Sequence, residues 1–141
     1  MAFKFEQLDV WKRSLTYIDR IYTIAEQLPR SEAYNLASQI KRAATSIALN
    51  IAEGSTGQTD AEQARFIGMA LRSLVETVAC QHLISRRELL VDRSELREAY
   101  KEADHLAAML QALRKALAPN EPWVREESEP YDSKDTSTPP F

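Results

Sequence analysis

The chain has 141 residues, 28% charged and 44% hydrophobic, with a formal net charge of −3, three glycines and one cysteine. That length predicts one domain with a sizeable core, and a lone cysteine excludes an internal disulfide. No run approaches the roughly 18 apolar residues of a membrane helix, and the opening MAFKFEQLDV carries no apolar signal segment, so a cytoplasmic protein without a membrane role is expected.

A first helix is predicted from about Gln7 to Leu28. Leu8, Trp11, Leu15, Ile18, Tyr22 and Ala25 recur every three or four residues, and Tyr17, Ile21, Ile24 and Leu28 make a second stripe beside them. Two stripes are wider than a coiled-coil seam and suit a bundle. Pro29 ends this helix.

A second helix is expected from an N-cap at Ser31 to a C′ glycine at Gly54. From Ala43 to Ala52 it carries no charge at all. At about 100° per residue, Leu36, Ile40, Ala43, Ile47 and Ile51 form an apolar stripe, with Ala37, Ala44, Ala48 and Ala52 as a second stripe of small residues. Gln39, Arg42, Ser46, Asn50 and Glu53 form a polar row on the far side of the apolar stripe from the alanines. A bundle helix normally keeps a solvated face, so this one predicts a subunit interface in addition to an internal core. The polar row has two readings. Its members fix register by hydrogen bonding across helices or subunits, because buried polar groups need partners, or they line a channel that meets a ligand. The first is favoured.

The short polar link Ser55–Thr56–Gly57–Gln58 leads to Thr59, which with Glu62 predicts a capping box opening a third helix. Ile67, Leu71, Leu74 and Val78, flanked by Phe66, Ala70 and Val75, supply its core face, and it is expected to end near Leu89. Asp92 with Glu95 predicts a second capping box. Leu96, Tyr100, Ala103, Ala107, Leu110, Leu113 and Leu117 carry a fourth helix to Pro119. Short links between four helices imply up-down-up-down alternation.

Residues 119–141 hold six acidic and two basic groups, a net of −4, leaving +1 for residues 1–118. With Pro119, Pro122, Pro130, Pro139 and Pro140 among Ser, Glu and Asp, this tail is expected to be disordered. Trp123, Tyr131 and Phe141 are scattered through it, and weak packing or none is favoured over a partner-binding role.

Nothing in the spacing predicts catalysis, a cofactor or a metal. Cys80 and His82 stand two apart on a helix and point away from each other. His105 has no spaced second ligand, and a metal site needs three or four convergent ligands. Ser46 and Ser73 have no adjacent base. The basic residues are a candidate nucleic-acid patch: Arg86, Arg87 and Arg93 cluster near the third turn, and Arg93, Arg97 and Lys101 repeat every four residues. Glu95, Glu98 and Glu102 interleave with them, so a solvated, salt-bridged surface is the simpler reading for one chain. A near-neutral bundle also argues against strong binding by a lone subunit. Repetition of the patch in an oligomer would make weak phosphate contacts sum.

Glu32, Leu36, Gln39, Ile40, Arg42, Ala43, Ala44, Ser46, Ile47 and the run Asn50-Ile51-Ala52-Glu53-Gly54 resemble the signature of the ribosomal-RNA intervening-sequence protein family. The likeness extends upstream through Phe5, Leu8, Val10, Trp11, Tyr22 and Pro29, and downstream through Phe66, Ala70, Ser73, Leu74 and Glu76. Ala48 stands where relatives often carry proline, so no kink is expected there. Arg72 stands where they often carry glycine. The resemblance implies an all-α, up-down-up-down four-helix bundle over residues 1–118 that assembles as a ring, a homopentamer. It also implies kinship to the accessory protein of diversity-generating retroelements, which partners a reverse transcriptase and contacts nucleic acid. The expectation is a non-enzymatic interaction module associated with RNA. The alternative is an accessory subunit that binds a reverse transcriptase or another protein. No catalytic residues are carried over from the family.

Overall fold

A computed structural model describes residues 2–57, 59–122 and 138–141. Its helices are α1 (Asp9–Gln27), α2 (Leu36–Gly54), α3 (Asp60–Arg86) and α4 (Ser94–Leu117), with short 3-10 turns at Lys4–Gln7 and Arg30–Glu32. Among the described residues there is no strand.

Each helix packs on its sequence neighbours and α1 closes onto α4. Pairs across the seams fix the directions. Tyr22 of α1 meets Thr45 of α2. Ser46 of α2 meets Ser73 of α3, while the earlier Gln39 meets the later Glu76. Gly68 of α3 lies under Arg114 of α4, and His82 lies near Tyr100. Across α2–α3 and α3–α4 rising numbers on one helix run against falling numbers on the next, and the short link from α1 to α2 turns the chain back as well, so the bundle is up-down-up-down.

Most of the predicted stripe residues are in the core, but Leu15, Tyr22 and Val75, expected on apolar faces, are exposed, while Ile84 and Leu106, outside the predicted stripes, are buried. Ile21, Ile24, Ile40, Ile47, Ile51, Ile67, Ile84, Leu96, Leu106 and Leu110 are fully buried. Each such side chain contributes roughly 1.5–3 kcal/mol of burial. Of the alanine stripe, Ala37, Ala44 and Ala48 are buried inside this one chain and Ala52 is half-buried.

One polar chain crosses this core. Thr77 Oγ1 donates to the Leu74 carbonyl at 2.6 Å, which uses its only proton. Tyr17 must therefore donate to Thr77 Oγ1, at 2.7 Å, and Gln81 Nε2 donates to the Tyr17 oxygen at 2.8 Å. Burial pushes the Tyr17 phenol well above its ordinary range, so it stays a donor.

The helix ends depart from expectation in four places. α2 starts at Leu36, not at Ser31, because residues 30–32 close a separate 3-10 turn. Gly54 is the last residue of α2 rather than a left-handed cap, and no glycine has positive φ. Its need is space: a Cβ there would stand 2.7 Å from Phe66 Cβ. α3 ends at Arg86, not Leu89, because Glu88 turns left-handed at φ 54°. Glu88 N–H then reaches the Ser85 carbonyl and Leu89 N–H the Ile84 carbonyl, the Schellman pattern. Asp92 does not cap through a box with Glu95; its Oδ1 accepts from Ser94 N–H at 2.9 Å, at the very start of α4. That bond holds the Asp92 carboxyl below its usual range. By contrast, Thr59 Oγ1 accepts from Glu62 N–H at 3.1 Å, where the N-cap was expected. The expectation of a disordered tail, with Trp123 and Tyr131, falls largely outside the described residues.

Two outcomes follow for stability. Gly54→Ala gains up to ~1 kcal/mol in helix propensity, but overpacking against Phe66 should outweigh it and lower stability by about 1–3 kcal/mol, as should Ala48→Leu. A melting temperature equal to or above wild type for both would show that the α2 contact has slack. Thr77→Val keeps the shape but strips the Tyr17 hydroxyl of its acceptor. It should lower the unfolding free energy by about 1–3 kcal/mol, measured by urea titration.

Candidate functional site

The polar row of α2 faces α3 along one rim. Asn50 Nδ2 donates to the Ser46 carbonyl at 2.9 Å and to Ser46 Oγ at 3.1 Å. Ser73 Oγ of α3 donates to the same Ser46 Oγ at 3.0 Å, and Gln39 Nε2 donates to Glu76 Oε1 at 3.3 Å. Gln39, Arg42 and Ser46, with Tyr34, Asn35, Ser38 and Glu76, line an open cavity of about 490 Å³. Glu53 lies exposed at the end of the row and does not line it. So three members of the row bond within the chain, while Arg42 presents its charge to the cavity.

A second cavity of about 520 Å³ adjoins it, sharing Tyr34, Ser38, Arg42 and Ser46 and adding Tyr22, Lys41, Thr45 and Leu49. Its large apolar members are open to solvent: Tyr34 is 99% exposed, Leu49 60% and Tyr22 40%. Lys41 Nζ stands 5.9 Å from the Tyr22 ring centre, close enough for a cation–π contact. Sequence reasoning did not single out Leu49. The signal was present, because position 49 falls on the helical wheel almost opposite the Ile40–Ile47–Ile51 stripe.

The structure divides the basic patch. Arg93 pairs with Glu88 at 3.6 Å and Lys101 with Glu98 at 3.5 Å. Arg97 Nε donates to the Phe141 backbone oxygen at 2.9 Å. Arg86 and Arg87 are exposed, and among the described residues no ion pair reaches them. The interleaved acids act elsewhere too: Glu95 and Glu102 both pair with Arg20 of α1, at 3.3 and 3.2 Å, raising the Arg20 pKa chiefly through the Glu102 hydrogen bond.

Another basic cluster escaped the sequence reading. Arg65 and Arg72 of α3 and Arg114 of α4 line a cavity of about 480 Å³ with Glu121 at its edge. Gly68 makes it possible, since a Cβ there would stand 3.0 Å from the Arg114 guanidinium. A glycine in mid-helix, unfavourable by ~1 kcal/mol against alanine, was the available signal.

Cys80 is buried in the core, and desolvation pushes its thiol up. Among the described residues no three His, Cys, Asp or Glu side chains converge as metal ligands, and no helix is long and apolar enough to cross a membrane.

No curated protein matches the chain. Among solved structures, it is similar to a protein of unknown function from the S23 ribosomal protein family of Bacteroides thetaiotaomicron. The two share 25% identity with a TM-score of 0.69, over 75% of this chain and 98% of that one. The four-helix arrangement is therefore common to both. Residues 6–112, which run from before α1 deep into α4 and include the whole α2–α3 seam, match the family described as 23S rRNA-intervening sequence protein. The chain belongs to that family.

Proposed function

We propose that this protein is a non-enzymatic interaction module that self-assembles and associates with RNA. The observation that carries the reading is the groove beside the outward face of α2, where Leu49 of α2, Tyr22 of α1 and Tyr34 of the link between them lie exposed around polar residues. Exposed apolar residues rimmed by polar ones mark an interaction site. A second copy of the chain is the occupant, and a closed ring of five is the assembly that the family resemblance implies. A heterologous contact of this kind closes into a ring when its rotation allows.

Assembly supplies what one bundle lacks. Residues 1–118 carry a net charge of only +1. Arg86 and Arg87 offer two exposed cations per subunit. Repeated around a ring, these become one multivalent surface whose phosphate contacts add through counterion release. The family takes its name from intervening sequences of 23S rRNA, which supports RNA as the polyanion.

A second reading makes the chain an accessory subunit that docks on a reverse transcriptase or another protein through the same α2 face. The internal partners of Arg93, Arg97 and Lys101 favour it, because they withdraw three of the five cations expected to meet phosphate.

Light scattering on purified protein should give a mass several times 16.0 kDa, and Leu49→Glu should reduce it to that of one chain with helicity intact. A wild-type monomer at micromolar concentration would overturn self-assembly. Binding to a 23S rRNA fragment should weaken steeply with salt. Arg86→Gln with Arg87→Gln should lower the log–log salt slope by about 1 for each phosphate left without its cation. No binding at low salt removes RNA and leaves the protein-partner reading in front.

A further inference from the structure

Phe141 does not behave as a loose end. Its ring packs edge-on against two others, His82 of α3 at 5.2 Å between centroids and Tyr100 of α4 at 5.7 Å. His82 and Tyr100 themselves stand edge-on at 6.4 Å, so the three rings form a mutual cluster of the favoured T-shaped geometry. The ring also packs against the hydrophobic core as a partly buried member. Beside it, the Phe141 backbone oxygen accepts from Arg97 Nε at 2.9 Å. A charged donor makes this one of the stronger kinds of hydrogen bond.

The position of the cluster matters as much as its contacts. α4 ends at Leu117, yet Phe141 sits beside Tyr100, 17 residues back along that helix. At 1.5 Å per residue the chain has returned by roughly 25 Å along the bundle. Residues 138–141 read Thr-Pro-Pro-Phe. Two consecutive prolines fix φ and narrow the conformations open to the segment before docking, which lowers the entropy lost on binding. Proline-rich segments that lay a side chain into an aromatic-lined groove are a recurring mode of peptide recognition.

We infer that the α3–α4 face formed by His82, Tyr100 and Arg97 is a docking site for a proline-preceded phenylalanine, and that residues 138–141 of the same chain occupy it as an internal plug. The aromatic pair supplies the pocket for the ring and Arg97 reads the backbone oxygen beside it. Covalent attachment holds the plug near its site at an effective concentration on the order of millimolar. A peptide presenting the same features must therefore displace it. The plug also gives the Arg97 guanidinium a partner within the chain. This inference needs neither self-assembly nor RNA binding.

The test uses the full chain with the plug residue replaced. Phe141 lies at the rim of the bundle, so Phe141→Ala should leave the far-ultraviolet circular dichroism of wild type unchanged. An N-terminally fluorescein-labelled peptide Ser-Thr-Pro-Pro-Phe, matching residues 137–141, is titrated against both proteins by fluorescence anisotropy. Phe141→Ala should bind it, and wild type should bind it roughly tenfold or more weakly, because its own segment competes at high effective concentration. Adding Arg97→Gln or Tyr100→Ala to the Phe141→Ala protein should abolish binding, as should replacing the peptide's phenylalanine by alanine. Equal binding to wild type and Phe141→Ala would overturn the plug. Absence of binding to Phe141→Ala, or binding that survives Arg97→Gln and Tyr100→Ala, would overturn the site.

Discussion

The close approach of α2 and α3 governs this bundle. At Gly54 even a single added carbon would meet the Phe66 Cβ at 2.7 Å. Farther along α2, Ala43, Ala44 and Ala48 keep its buried faces thin. Interaxial distance follows the size of the side chains at the contact. Small residues here bring the backbones near enough for Ser46 and Ser73, both short, to touch hydroxyl to hydroxyl at 3.0 Å. The polar rim and the cavity beside it are consequences of that geometry.

A second constraint fixes what apolar packing leaves free. Stripes of Ile and Leu favour burial without specifying register finely, because methyl groups make few directional demands. The chain from Gln81 through Tyr17 and Thr77 to the Leu74 carbonyl does specify it. It crosses from α1 to α3, which otherwise face each other across the core. Every link has one donor and one acceptor, and at this depth an unmade bond is costly. Only one alignment of α1 against α3 satisfies all of them.

The charged surface follows a different logic. Three cations at and just before α4 have partners: Arg93 with Glu88 and Lys101 with Glu98 nearby in sequence, and Arg97 with the Phe141 backbone from far along the chain. Exposed pairs of this kind add little stability, typically below about 1 kcal/mol. Their effect is to flatten the potential of a single subunit. Under the proposed assembly a polyanion would be held by repetition of cations that stay exposed, Arg86 and Arg87 among them. Self-association and RNA association are thus one proposal with two measurable halves.

The all-helical class, most of the stripe residues that become the core, the Thr59 cap and the stop before Pro119 were legible in the sequence. Each is a local matter: the 3.6-residue period and the chemistry of a helix end are set by residues within a turn or two. The family signature on α2 was legible for the same reason. What the sequence could not decide depends on which residues meet across the bundle. Ser31 is a good cap by type, but a 3-10 turn intervenes before α2 begins. Gly54 fits a C′ glycine by position, yet its reason is Phe66 from another helix. Asn50, Ser46 and Gln39 formed a visible polar row; Asn50 bonds back to Ser46 one turn away, but only the placement of Ser73 and Glu76 gave Ser46 and Gln39 partners across the seam. Phe141, 41 residues beyond Tyr100 in the chain, is brought back against it by tertiary contact alone. Periodicity travels along the chain and can be read from it; proximity between distant segments arises only when the whole core closes.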